Sequence, residues 1–167
     1  FEISKLRQRL DPDMRAVLAV HEAGHGLIYA LLFKQAPLEI RINMATFSGG
    51  YNSFNALKVK TRGNLLDAVC VALSGRAAEE MVYGMESLSS GSENDLKLAT
   101  QQIAAFIRHA AFGKRISHVD VSTEAGENIN TDVASTNPEI EAGLQKQYER
   151  AQGLLVANKA IYLQMVN

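Results

Sequence analysis

His21-Glu22-Ala23-Gly24-His25 sets two imidazoles four residues apart, with a carboxylate directly after the first. This is the H-E-x-x-H arrangement of helical zinc hydrolases. On an α-helix, positions four apart differ by only about 40° in azimuth and roughly 6 Å in height, so both rings can reach one metal ion from the same side. Glu22 stands about 100° around from His21 and can address a water on that ion without binding the ion itself. The bland alternative is a pair of core histidines satisfied by hydrogen bonds. The carboxylate set between them favours metal chemistry.

Such a pentapeptide needs a helix to carry it. Asp11-Pro12 suits a helix start, an N-cap carboxylate followed by proline at the first helical position. From there Met14, Val17, Leu18, His21, His25, Ile28 and Leu32 fall on one stripe, which predicts a helix over about 13–33, ended by the Pro37 region. The histidines occupy the middle of this apolar stripe and Glu22 lies on its flank. Gly24 and Gly26 each cost about 1 kcal/mol of helix propensity relative to alanine. Close approach of another backbone, or of a substrate, would offset that cost.

The remaining elements follow from periodicity and punctuation. Two short extended stretches are expected near Leu38–Met44 and Gly50–Phe54, separated by the turn-like Ser48-Gly49-Gly50. A helix over about 64–83 ends at Gly84. Ser92, with Asp95 three residues on, makes a cap for a helix over about 93–112. Residues 113–135 are polar and glycine-containing and read as loop. Asn137-Pro138 then opens one long helix, on which Ile140, Leu144, Tyr148, Ala151, Leu155, Tyr162 and Met165 recur at helical intervals. The fold class is therefore mainly α with a small β-sheet (α+β), in a single domain over residues 1–167.

At 167 residues the chain can bury a substantial core. A formal charge of −1 with both signs mixed gives no electrostatic case for nucleic acid. The lone Cys70 excludes an intrachain disulfide, and among Leu66, Val69, Val71 and Leu73 it reads as a small core residue. No apolar run approaches the 18 or so residues of a membrane span, and no secretory leader is visible. The helical residues Phe1 to Leu10 suit a lead-in from an upstream domain, with residues 1–12 as the connecting segment.

A catalytic zinc usually takes three protein ligands, so another element must supply a donor. The elongated H-x-x-G-x-x-H form fails, because Ile28 and Leu31 stand three and six residues past His25. His109 and His118 are remote from the motif and isolated. Two carboxylate positions remain, Glu79-Glu80 on the apolar-faced helix and Asp95 in the first turn of the next. A surface ion pair with Arg76 would explain the first, and simple capping the second. The residues alone leave the two nearly even.

The chain resembles the peptidase domain of FtsH-type membrane AAA proteases, the M41 metallopeptidase family. The likeness rests on His21–His25, on Ala72-Leu73-Ser74-Gly75-Arg76-Ala77-Ala78-Glu79-Glu80 with Tyr83-Gly84, and on Ser89-Ser90-Gly91-Ser92-Glu93-Asn94-Asp95-Leu96 leading into Ala99-Thr100. The stretch from Leu144 to Leu163, with Tyr148 and Ala151-Gln152-Gly153-Leu154-Leu155, is similar to that family's closing helix. The segments Leu38–Leu57 and 113–135 depart most from the family pattern.

The resemblance implies zinc held by His21, His25 and Asp95, with Glu79 orienting a ligand or adding its field to the site. It also implies that Glu22 is the general base of an endopeptidase acting on unfolded chains. The substrate would be held as an added strand along Gly50, Tyr51 and Asn52. Family members form hexameric rings beneath an ATP-driven unfolding ring, and no G-x-x-x-x-G-K-S/T motor motif occurs here. An ATPase module in the same parent chain, or associated with it, is therefore expected. The expected location is the cytoplasm, or the cytoplasmic or organelle-interior face of a membrane. The rival readings are a catalytically silent, metal-containing assembly module and a zinc-free helical interaction domain.

Overall fold

The computed structural model describes residues 12–42, 50–53, 60–119 and 132–166. The proposed lead-in over Phe1–Leu10 and the turn at Ser48-Gly49 lie outside them. The order is α1 (Pro12–Phe33), β1 (Glu39–Ile42), β2 (Gly50–Ser53), α2 (Arg62–Tyr83), α3 (Glu93–Arg108), α4 (Asn137–Ala157) and α5 (Lys159–Val166). Short 3-10 turns at Met85–Ser87, Ser90–Ser92 and Ala134–Thr136 join the helices. The domain is mainly α. Among the described residues the only strand pairing is β1 with β2, antiparallel, with Ile40 opposite Asn52 and Ile42 opposite Gly50.

α2 is the central post. Thr61 caps it by accepting the Asn64 N–H at 3.2 Å, a bond worth about 1 kcal/mol. Gly84 ends it with a φ of 82°, its N–H donating to the Glu80 carbonyl at 2.9 Å. One apolar cluster joins α2 to α1, α4 and α5 through Val20, Ile28, Tyr29, Cys70, Ala77, Ala78, Leu155 and Tyr162. A second joins α2 to α3 and α4 through Val69, Leu73, Ile103, Phe106 and Ile140. Burying a side chain the size of Ile28 or Leu155 contributes roughly 1.5–3 kcal/mol, so these contacts, more than helix propensity, hold α2 between its neighbours. Burial pushes the Cys70 thiol up to about 11, in keeping with a packing role.

Two boundaries differ from the sequence-based expectation, each for a packing reason. α3 stops at Arg108 rather than near 112: Ala111 adopts φ 50° and Phe112 folds back so that its ring lies 5.3 Å from that of Phe106. A left-handed alanine costs roughly 1–2 kcal/mol, which the aromatic contact offsets. The expected single C-terminal helix breaks at Asn158, whose side chain and backbone both donate to the Leu154 carbonyl. The break lets Tyr162 turn inward, fully buried, and donate to the Val20 carbonyl at 2.6 Å. By length and mean hydropathy (1.4 over Met14–Phe33) α1 is also apolar enough for a membrane span, although His21, Glu22 and His25 interrupt its apolar run. In the fold its apolar residues Val20, Leu27 and Ile28 are instead buried in the core shared with α2 and α5.

Candidate metal centre

α1 and α2 pack closely because small residues face each other. A Cβ added to Gly24 would stand 2.7 Å from both the Ala78 Cβ and the Ser74 carbonyl oxygen. This is the close backbone approach that the cost of a mid-helix glycine suggested. The seam buries His21, Glu22 and His25, each 5–6 % exposed.

Each ring is held from behind. His25 Nδ1 donates to the Val71 carbonyl at 2.7 Å, and Ser74 Oγ donates to the same oxygen at 2.6 Å. His21 Nδ1 donates to Glu79 Oε1 at 2.7 Å, while Glu79 Oε2 accepts the Ser89 N–H at 3.0 Å. Glu79 is 1 % exposed, so it makes no surface ion pair with Arg76. Its neighbour Glu80 faces α4, accepting hydrogen bonds from Tyr148 and from Gln152.

With both Nδ1 atoms committed as donors, the two Nε2 atoms face each other at 3.0 Å. Asp95 Oδ2 lies 2.9 Å from His21 Nε2 and 3.5 Å from His25 Nε2. Asp95 is thus turned to the histidines, and Ser92 makes no side-chain capping bond to α3. In neutral rings those two nitrogens are acceptors, and a carboxylate is a third. Three acceptors converging in a buried seam require a positive charge between them. A proton on His21 can supply it: burial lowers the pKa of His21, but its bonds to Asp95 and Glu79 outweigh burial and raise it to about 9. Burial pushes Asp95 and Glu79 up, and the histidine contacts, joined at Glu79 by hydrogen bonds from Ser89, override it to hold both below the ordinary carboxylate range. A divalent cation supplies the charge more fully, and two imidazoles with one carboxylate are the donor set zinc favours. The residues present fit the group. Among the described residues, His21, His25 and Asp95 are the one such group, with ligand atoms within 4.8 Å of one another.

A scan against family models matches residues 8–167 to Peptidase family M41. The chain belongs to this family. The M41 domain is 30 % identical over 179 residues to an "ATP-dependent zinc metalloprotease FtsH" of Chloroflexus aggregans, covering 96 % of this chain and 27 % of that one. An "ATP-dependent zinc metalloprotease YME1 homolog" of Schizosaccharomyces pombe is 29 % identical, over 90 % of this chain and 22 % of its own. A "Mitochondrial inner membrane m-AAA protease component yta12" of the same organism is 24 % identical, over 94 % and 21 %. The chain spans about a quarter of the length of the curated relatives it matches.

The structure brings together His21, His25, Asp95 and Glu79, with Glu22 buried one residue along α1. Gly50, Tyr51 and Asn52 lie on β2, one edge of which pairs with β1. His109 and His118 stay apart from the metal group, but they stack on each other with ring centroids 5.2 Å apart, so neither is isolated. Sequence reasoning missed the Val71 carbonyl, the Ser74 hydroxyl and the Ser89 N–H. Backbone groups leave no trace in residue types, whereas a glycine inside α2 was a visible signal.

Proposed function

We propose that this M41 domain is a zinc-dependent endopeptidase that hydrolyses peptide bonds of unfolded or motor-delivered proteins. The observation that carries the reading is the convergence of two Nδ1-anchored imidazoles and Asp95, with Glu22 beside them in the same buried seam. His21 Nε2, His25 Nε2 and the Asp95 carboxylate would hold the ion, and Glu79 fixes the His21 ring through Nδ1–H. When bound, the ion acts as a Lewis acid that polarises a carbonyl and lowers the pKa of water towards about 7. Glu22 takes the proton of the attacking water on its carboxylate and delivers it to the departing amine nitrogen. Because Glu22 stands a third of a helical turn from His21, it can serve as base without joining the ligand set.

Peptide substrate adds as a strand beside Gly50, Tyr51 and Asn52, where backbone pairing reads shape more than side-chain identity. The names of the relatives support an ATP-driven partner module, in the same parent chain or associated, and a place at a membrane surface in the cytoplasm or an organelle interior. A homo-hexameric ring completes the proposal.

Glu22→Gln tests the reading. The variant should keep about one zinc per chain while cleavage of denatured casein falls about 10²- to 10⁴-fold, the span expected for loss of a general base. Undiminished cleavage would remove Glu22 from the chemistry, and loss of zinc would mean that it is a ligand.

A further inference from the structure

Gly75 stands in the middle of α2, buried, where glycine is about 1 kcal/mol less favourable than alanine. Its backbone gives no reason for the choice, since Gly84 is the one glycine with positive φ among the described residues. The reason lies across the seam. A Cβ built on Gly75 would stand 2.5 Å from His21 Nε2, 2.6 Å from His21 Cε1 and 2.6 Å from His25 Nε2. Separations this short are steric overlap, well inside van der Waals contact. Two of the three atoms struck are the donor nitrogens themselves.

Gly24, the other close-packed glycine of this seam, meets something different, the Ala78 Cβ and the Ser74 carbonyl. A methyl group there pushes one helix backbone off the other. A methyl group at position 75 pushes only ring tips. Those tips are tethered through Nδ1 to Glu79 and to Val71, so they yield only by swinging the two nitrogens apart or by breaking the anchoring bonds.

Resting on the metal reading above, we propose that Gly75 is a positioning residue for the ion. Its missing side chain is what lets His21 and His25 present both Nε2 atoms to one cation. Gly24 sets the spacing of the helices, and Gly75 keeps the face of α2 clear where the donors meet. The division separates metal binding from folding at two positions on facing helices.

The test compares Gly75→Ala with Gly24→Ala by zinc affinity, from competition with a chromophoric chelator, and by the melting midpoint of the metal-free protein. Gly75→Ala should lose at least about tenfold in zinc affinity, as when groups that orient ligands are removed, and should lower the metal-free midpoint less than Gly24→Ala does. Gly24→Ala should lower the midpoint and change affinity less. Wild-type affinity in Gly75→Ala, with wild-type protein binding zinc normally, would overturn the role of Gly75 alone. Wild-type protein that takes up no zinc would overturn the metal reading beneath it. Should Gly75→Ala melt early, the same substitution goes into His21→Ala/His25→Ala protein, where the obstructing rings are gone. There it should hold or raise the midpoint, and a further fall would show that the rings are not what position 75 must avoid.

Discussion

His21 and His25 meet edge to face at 4.7 Å and 75°, and His109 and His118 lie nearly parallel at 5.2 Å and 21°. As ring pairs they are similarly close. The first pair is buried between α1 and α2, each Nδ1 has an acceptor behind it, and a carboxylate faces both Nε2 atoms. The second pair is exposed past the end of α3, and His118 Nδ1 donates to the His109 carbonyl at 3.2 Å. No third donor joins it among the described residues. Proximity of imidazoles therefore does not by itself set the proposed metal centre apart. What distinguishes it are the groups that fix the tautomer and concentrate negative charge, and they come from α2 and from the first turn of α3.

Disturbing the two pairs should separate them clearly. Asp95→Asn weakens the donor set directly and should give the largest loss of zinc, measured as metal per chain after dialysis. Glu79→Gln keeps a weaker acceptor for His21 Nδ1–H and should cost about 10- to 100-fold in affinity, less than the first variant. His109→Ala/His118→Ala should leave zinc content unchanged. The reverse order for Asp95 and Glu79 would reassign the third ligand, and zinc loss in the double variant would erase the contrast.

The metal-free protein offers a subtler probe. His21 has its pKa raised from 6.5 to about 9 despite burial, so its contribution to stability is fully present below about pH 6.5. That contribution fades as pH rises through about 9, and it is worth at most roughly 3 kcal/mol. Asp95 and Glu79 are held low, so their share is lost only in acid. The parts of these shifts that come from the His21 contacts are the same interactions seen from each partner and count once, whereas Ser89 also lowers Glu79 and His25 also lowers Asp95. The melting midpoint of the apoprotein should therefore fall by several degrees between about pH 6.5 and 9. Zinc affinity should rise over the same range, because the ligand must lose its proton. A flat apoprotein profile would contradict the charge balance assigned to the buried pair. The same slope after His109→Ala/His118→Ala would confirm that the exposed pair takes no part.

Much of this arrangement was legible before the fold. The α1 stripe placed both histidines on the core side, and the cost of Gly24 pointed to a tight helix contact that Ala78 and Ser74 provide. Glu79 and Asp95 were visible as candidates but could be ranked only through the family resemblance, because they lie 58 and 74 residues from His21 and meet it only through the packing of α2 and α3. The pattern Ser92-x-x-Asp95 reads as a cap whether Asp95 turns back to its own helix or across to another. The break at Asn158 was hidden as well. Apolar positions keep helical spacing through it, and the partner that Tyr162 meets beyond the break, the Val20 carbonyl, lies 142 residues away.

The most direct measurement is a diffraction map at the zinc absorption edge from crystals of protein purified without chelators. It should show one strong anomalous peak within about 2.0–2.2 Å of His21 Nε2, His25 Nε2 and an Asp95 oxygen, with Glu22 and Glu79 outside the coordination sphere. A peak bonded to Glu79 in place of Asp95, or a zinc-replete crystal with no peak in the α1–α2 seam, would contradict the account.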